Sequence, residues 1–161
     1  MSLLFCTSDG RQCMHLLTNA IDTIREQALL HHPLETGGIL LGYYDSDYRV
    51  ATIVVATPPP SDSEHGRYRF IRGTKGIKQL LTSAKNQNPP LYYVGEWHTH
   101  PNSAAQPSST DIKQMRYFAL RRLYGSGSPL LLVIGGTPPH ELLWQAVVTT
   151  QRNPPSHLTM F

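Results

Sequence analysis

A chain of 161 residues with 40% hydrophobic and 16% charged residues has the length and apolar content for one folded domain, which excludes the disordered and fibrous classes. Its formal net charge is only +3, and no stripe of basic residues interleaved with aromatics runs through it, so no nucleic-acid partner is expected. No apolar run approaches the roughly 20 residues that span a bilayer, and Met1 to Gly10 has neither the basic nor the apolar region of a signal peptide, so the expectation is a cytoplasmic protein with no membrane partner.

Met1 to Thr7 reads as a short strand. A helix is predicted from Ser8 or Asp9 to about Leu30, because Cys13, Leu16, Leu17, Ala20, Ile21, Ile24 and Ala28 recur at the helical period. On that reading Cys13 is a core residue. Cys6 and Cys13 are the only cysteines; they do not form C-x-x-C, one pair makes no disulfide scaffold, and free thiols in a reducing compartment are expected. His31-His32-Pro33 ends the helix, and two adjacent imidazoles point too far apart to chelate.

Leu34 to Tyr44 and Tyr48 to Ala56 read as strands joined at Asp45-Ser46-Asp47, an antiparallel hairpin. Gly37, Gly38 and Gly42 match neither dinucleotide nor P-loop fingerprints; in a strand they mark close backbone approach or a bulge. Thr57 to Gly66 is a proline-rich loop expected at the surface. Arg67 to Ile71 is a predicted strand, Gly73 to Asn86 a second helix, and Leu91 to Trp97 a further strand. A third helix begins at Ser108 and runs to about Tyr124. It buries Ile112, Met115, Phe118, Ala119 and Leu123 and leaves Arg116, Arg121 and Arg122 as a solvated face. Pro129 to Ile134 and Glu141 to Thr150 are the last strands. The order implies an α+β fold, an α/β/α layered domain with a mixed sheet. The domain is expected to span 1–150, and 151–161 to be a docking segment or a disordered tail.

Chemistry concentrates in Gly95 to Asp111, GEWHTHPNSAAQPSSTD. Alternation along a strand sends His98 and His100 to one face, and Pro101 ends the ladder. Ser108 is an N-cap with Asp111 three positions on, so a carboxylate at a helix start can meet two imidazoles at a strand end. Two nitrogens and one oxygen suit zinc and leave a fourth position for water. The spacing alone equally fits a solvated strand end beside a carboxylate that complements the helix dipole.

Taken with Glu35 in LETGGILLG, the run His98-Thr99-His100-Pro101, then Ser108 and Asp111, resembles the JAMM (MPN+, JAB) metalloprotease family, with every motif position filled. The resemblance covers about residues 8 to 150 and implies a cytidine-deaminase-like mixed sheet flanked by helices. It implies one zinc ion per chain held by His98, His100 and Asp111. Glu35 is then the general base, passing the proton of the attacking water to the leaving amine, and Ser108 donates to the oxyanion. From the residues alone, Glu64 or Glu96 could serve as base, and Glu96 shares the strand face of His98. Trp97 and Thr99 should point away from the ion. Glu64 and His65 lie near where the family keeps its substrate-gripping insertion.

The compact chain resembles the stand-alone prokaryotic JAB proteins. That group implies an isopeptidase acting after the extended C-terminal tail of a ubiquitin-like or conjugated protein, with E1/E2-like operon partners in CBASS antiphage systems. Trimming of a sulfur-carrier protein, hydrolysis of cell-wall peptides, and a non-catalytic interaction module are the alternatives.

Overall fold

The computed structural model describes residues 1–161. In chain order it contains β1 (Leu3–Cys6), β2 (Cys13–Leu16), α1 (Thr18–His31), β3 (Gly37–Tyr44), β4 (Val50–Ala56), β5 (Glu64–His65) and β6 (Phe70–Ile71). Then follow α2 (Ile77–Lys85), β7 (Tyr92–Thr99), α3 (Ser109–Arg121), a 3-10 turn at Leu123–Gly125, β8 (Leu130–Thr137), β9 (Glu141–Val148) and β10 (Ser156–Met160). Mixed α+β composition is as expected from the sequence. The layered arrangement is not: eight strands close into a barrel in the order β1-β10-β9-β8-β7-β3-β4-β2, and β5-β6 form a separate two-stranded sheet. The β2/β4 and β7/β8 pairs are parallel and the remaining pairs antiparallel.

Closure depends on two segments whose sequence reads differently. The predicted first helix starts too early. Thr18 begins it, and Cys13 to Leu16 instead pair with β1 on one side and with β4 on the other. The ladder gives these four residues two sets of backbone partners, and it buries Met14 and Leu16 in alternation. Asp9 forms the turn between β1 and β2, its carboxylate accepting from the Thr7 hydroxyl and the Arg11 N–H. Cys6 and Cys13 face each other across that hairpin and form a disulfide, so the expected free thiols are absent. The thiol argument for a reducing compartment falls with them. At the other end of the chain, β10 lies within 151–161 and pairs with both β9 and β1. No helix is long and apolar enough to cross a membrane.

The main core lies inside the barrel. Phe5, Met14 and Leu16 meet Leu40, Ile53, Val94, Trp97, Leu132 and Ile134 there, and α1 adds its buried stripe of Ala20, Ile21 and Ile24. Outside the barrel, α2 covers Ile39, Leu41 and Tyr93, while α3 packs Met115 on Leu131, Val133 and Val147. One irregularity matters for the site. The β3/β7 register passes from Leu41↔Tyr93 to Leu40↔Gly95, so Val94 is an extra residue in β7. This bulge keeps Val94 and Trp97 inside and puts Tyr93 on the outer face with Glu96 and His98.

Candidate metal centre

The outer face of β7 carries the site. His98 stands opposite Gly37 of β3 and Val133 of β8. A Cβ at Gly37 would collide with the Trp97 carbonyl oxygen and would lie 2.8 Å from the His98 Cβ and 2.8 Å from Phe70 Cε1. Glycine is therefore required there for β3 to approach β7 without displacing its backbone and the imidazole it carries. The strand runs two residues beyond the predicted Trp97, and the His100 N–H continues the ladder by donating to Ile134 O at 2.7 Å. Both histidines thus leave the carboxyl end of β7 beside its parallel neighbour β8, where helix α3 returns.

Ser108 is the N-cap of α3 as expected. Its hydroxyl oxygen accepts from the Asp111 N–H at 3.1 Å, and its own N–H donates to Asp111 Oδ2 at 2.7 Å. This capping box fixes the Asp111 carboxylate towards the histidines. The Nε2 atoms of His98 and His100 are 3.1 Å apart, and they lie 3.3 and 3.2 Å from Asp111 Oδ2. A tetrahedral ion with bonds of about 2.0–2.1 Å sets its ligand atoms about 3.3–3.4 Å apart, so this near-equilateral triangle fits such an ion. The three side chains are largely withdrawn from solvent, with exposures of 13, 14 and 14%.

The electrostatics suit a cation. Burial opposes the charge of Asp111, but hydrogen bonds from His100, His98 and the Ser108 N–H outweigh it and hold its carboxyl well below the ordinary carboxylate range. Burial likewise opposes an imidazolium at His100, yet Asp111 and Glu35 reverse the balance and raise its pKa. The site concentrates negative charge around two imidazoles.

Glu35 lines the same cavity of about 410 Å³ as the triangle. Its backbone is clamped: its N–H donates to Gly66 O at 2.7 Å, and His65 Nδ1 lies 3.0 Å from its carbonyl oxygen. The next residue, Thr36, is tied to Thr99 of β7 by the Thr99 N–H donating to Thr36 O at 2.8 Å and the Thr36 N–H donating to Thr99 Oγ1 at 3.0 Å. Burial raises the Glu35 pKa, opposed by His100 and His98 and reinforced by Asp111.

Glu96, the rival base, is otherwise engaged. Arg72 Nε and Nη2 donate to its two oxygens at 2.6 and 3.0 Å, and the Tyr93 hydroxyl donates to Oε1 at 2.7 Å. Neither Glu64 nor His65 lines the cavity. His65 instead stacks on His31 at 4.2 Å with its ring tilted against Phe70. Trp97 is buried in the barrel and donates to Thr57 O at 3.0 Å, and Thr99 is buried against Thr36, so both point away from the site. The hairpin residues Arg67, Tyr68, Arg69 and Phe70, expected only as part of a strand, form one wall of the cavity. This run of four is too short for a nucleic-acid stripe, but its alternation of basic and aromatic side chains beside a proline-rich loop was the available signal.

The family described as prokaryotic homologs of the JAB domain matches residues 17–147. The chain belongs to that family. Similar proteins carry related names. A protein of Enterobacter hormaechei subsp. hoffmannii named CD-NTase/cGAS isopeptidase is 40% identical over 124 residues, covering 77% of the JAB chain and 68% of that protein. The probable metalloprotease y4qB of Sinorhizobium fredii is 27% identical over 133 residues, covering 79% and 80%. The solution structure of protein DSY2949 from Desulfitobacterium hafniense matches with a TM-score of 0.58 at 19% identity over 88% of this chain and 87% of that one, a likeness of fold. Relatives with isopeptidase and metalloprotease names support a JAB-type peptidase in general.

Proposed function

We propose that the protein is a zinc-dependent isopeptidase that hydrolyses the amide bond after the extended C-terminal tail of a ubiquitin-like or otherwise conjugated protein. The observation that carries this reading is the triangle of His98 Nε2, His100 Nε2 and Asp111 Oδ2, with Glu35 in the same cavity. Two imidazoles and one carboxylate are a donor set for zinc, which when bound lowers the pKa of water towards about 7 and polarises a carbonyl as a Lewis acid.

The chain's own groups then divide the work. Glu35, with its pKa raised by burial, takes the proton of the attacking water. Water oxygen bonds to the carbonyl carbon, the C–N bond breaks, and the same proton passes from Glu35 to the departing amine. Ser108 uses its oxygen to accept the Asp111 N–H, which leaves its hydroxyl proton free to donate to the developing oxyanion. The closed barrel leaves strand edges at β5-β6, and a substrate tail can add there as a strand beside the site. The 40% identical relative named an isopeptidase supports the choice of bond.

The experiment is cleavage of a tail-linked conjugate by the zinc-loaded protein. Wild type should release the tail with a free carboxylate, a chelator should stop it, and Glu35→Gln should stop it while retaining zinc and fold. A Glu35→Gln variant as active as wild type would remove Glu35 from the mechanism.

A further inference from the structure

The cavity walls differ in charge. On one side the β5-β6 hairpin presents Arg67, Tyr68 and Arg69 at its tip, all exposed, with Tyr68 at 91%. On the other side α3 presents Thr110, Gln114, Met115 and Phe118, which carry no charge. The remaining charged lining groups are accounted for. Arg72 is paired with Glu96, and Glu35 and Asp111 face the histidines. Arg67 and Arg69 take part in none of the ion pairs of the molecule. The turn between them is held by the Gly66 N–H donating to Arg69 O at 2.8 Å, and the Gly66 carbonyl in turn receives the Glu35 N–H. The two arginines are thus mounted on the same backbone that positions Glu35, and they line the cavity that holds it.

We infer that Arg67 and Arg69 select a substrate tail bearing carboxylates next to the scissile bond. The inference rests on the peptidase reading above and adds a substrate class to it: an extended acidic peptide with an apolar side chain towards Met115 and Phe118. Consecutive residues of an extended chain point to opposite sides, so an acidic residue beside an apolar one satisfies both walls. A basic tail meets two like charges that form no ion pair within the protein. The plain alternative is that the two arginines only solvate a hairpin tip.

The test measures binding and not turnover. Glu35→Gln protein loaded with zinc is titrated against three labelled peptides of equal length and identical glycine-rich centre, flanked by acidic, neutral or basic residues. The acidic peptide should bind about tenfold more tightly than the neutral one, the order expected of two surface charge pairs. The advantage should shrink as salt is raised. Adding Arg67→Glu and Arg69→Glu together should invert the order, whereas Lys85→Glu on α2 should leave it intact. Circular dichroism melting checks that the double reversal still folds. Equal affinity for all three peptides, absence of binding included, or an order that survives the double reversal overturns the charge assignment. The intended order without cleavage by wild type would leave the charge assignment standing and sink the peptidase reading.

Discussion

Replacing Arg72 by alanine isolates the role of the buried ion pair behind the site. Arg72 and Glu96 have side-chain exposures of only 9 and 8%, and two hydrogen bonds join them. Removing the guanidinium leaves the Glu96 carboxylate buried with only the Tyr93 hydroxyl as partner. Breaking a buried pair from one side costs about 3–5 kcal/mol. In a domain of this size each kcal/mol moves Tm by about 2–4 °C, so melting should fall by about 6–20 °C. The loss should depend on pH in a fixed direction. Burial already raises the Glu96 pKa against the opposing Arg72 and Tyr93 bonds, so the folded state binds a proton more readily than the unfolded chain. Stability from such a group is fully present below its unfolded pKa and is lost as pH rises through the folded value. Without Arg72 the folded value rises further, and the penalty should be larger at pH 8 than at pH 5. Thermal and urea melts of wild type, Arg72→Ala and the apolar double Arg72→Met/Glu96→Leu read this directly. The double variant should recover part of the loss, because replacing Glu96 leaves the buried Tyr93 hydroxyl without its acceptor. A single variant within about 1 kcal/mol of wild type, or a double no better than the single, would refute the reasoning.

Three further outcomes follow from the same geometry. Gly37→Ala should push the new methyl against the Trp97 carbonyl oxygen, His98 and Phe70, cost about 1–3 kcal/mol, and weaken zinc binding at least tenfold by isothermal titration. Unchanged zinc affinity would show that β3 does not set the imidazole. Ser108→Ala should lose about 1 kcal/mol of cap stability and lower kcat more than it changes KM; a loss confined to stability would leave Ser108 as a cap alone. Alkylation and mass measurement of unreduced protein should find Cys6 and Cys13 protected, and reduction should lower stability by about 2 kcal/mol, whereas two alkylated thiols would remove the bridge from the account.

Much of the site was legible because its signals are local. A serine three residues before an aspartate specifies a helix cap, and H-x-H ahead of a proline specifies two imidazoles leaving one strand face. The β3-β4 hairpin was legible for the same reason, its strands being long and flanked by turn residues. What escaped depends on partners distant in the chain. Cys13 to Leu16 continue the helical period of α1 by coincidence, and only the ladders to β1 and β4 make them a strand. Ser156 to Met160 bury a single side chain, Leu158, too faint a pattern to read, yet they close the barrel through pairing with β1. The extra residue at Val94 has no sequence mark of its own, and without it Tyr93 would not share a face with Glu96. The residues alone left Glu35 and Glu96 both open, and only the family resemblance preferred Glu35. Both line the cavity that holds His98, and two hydrogen bonds from Arg72 occupy Glu96.

The metal is the hinge of the account, and metal content measures it most directly. Purified wild-type protein and its Asp111→Ala variant, both exposed to zinc and freed of excess, should differ under elemental mass spectrometry. Wild type should hold one zinc ion per chain and the variant almost none. A wild-type chain that retains no zinc, or a variant that retains as much as wild type, would contradict the assignment of His98, His100 and Asp111 as the ligands.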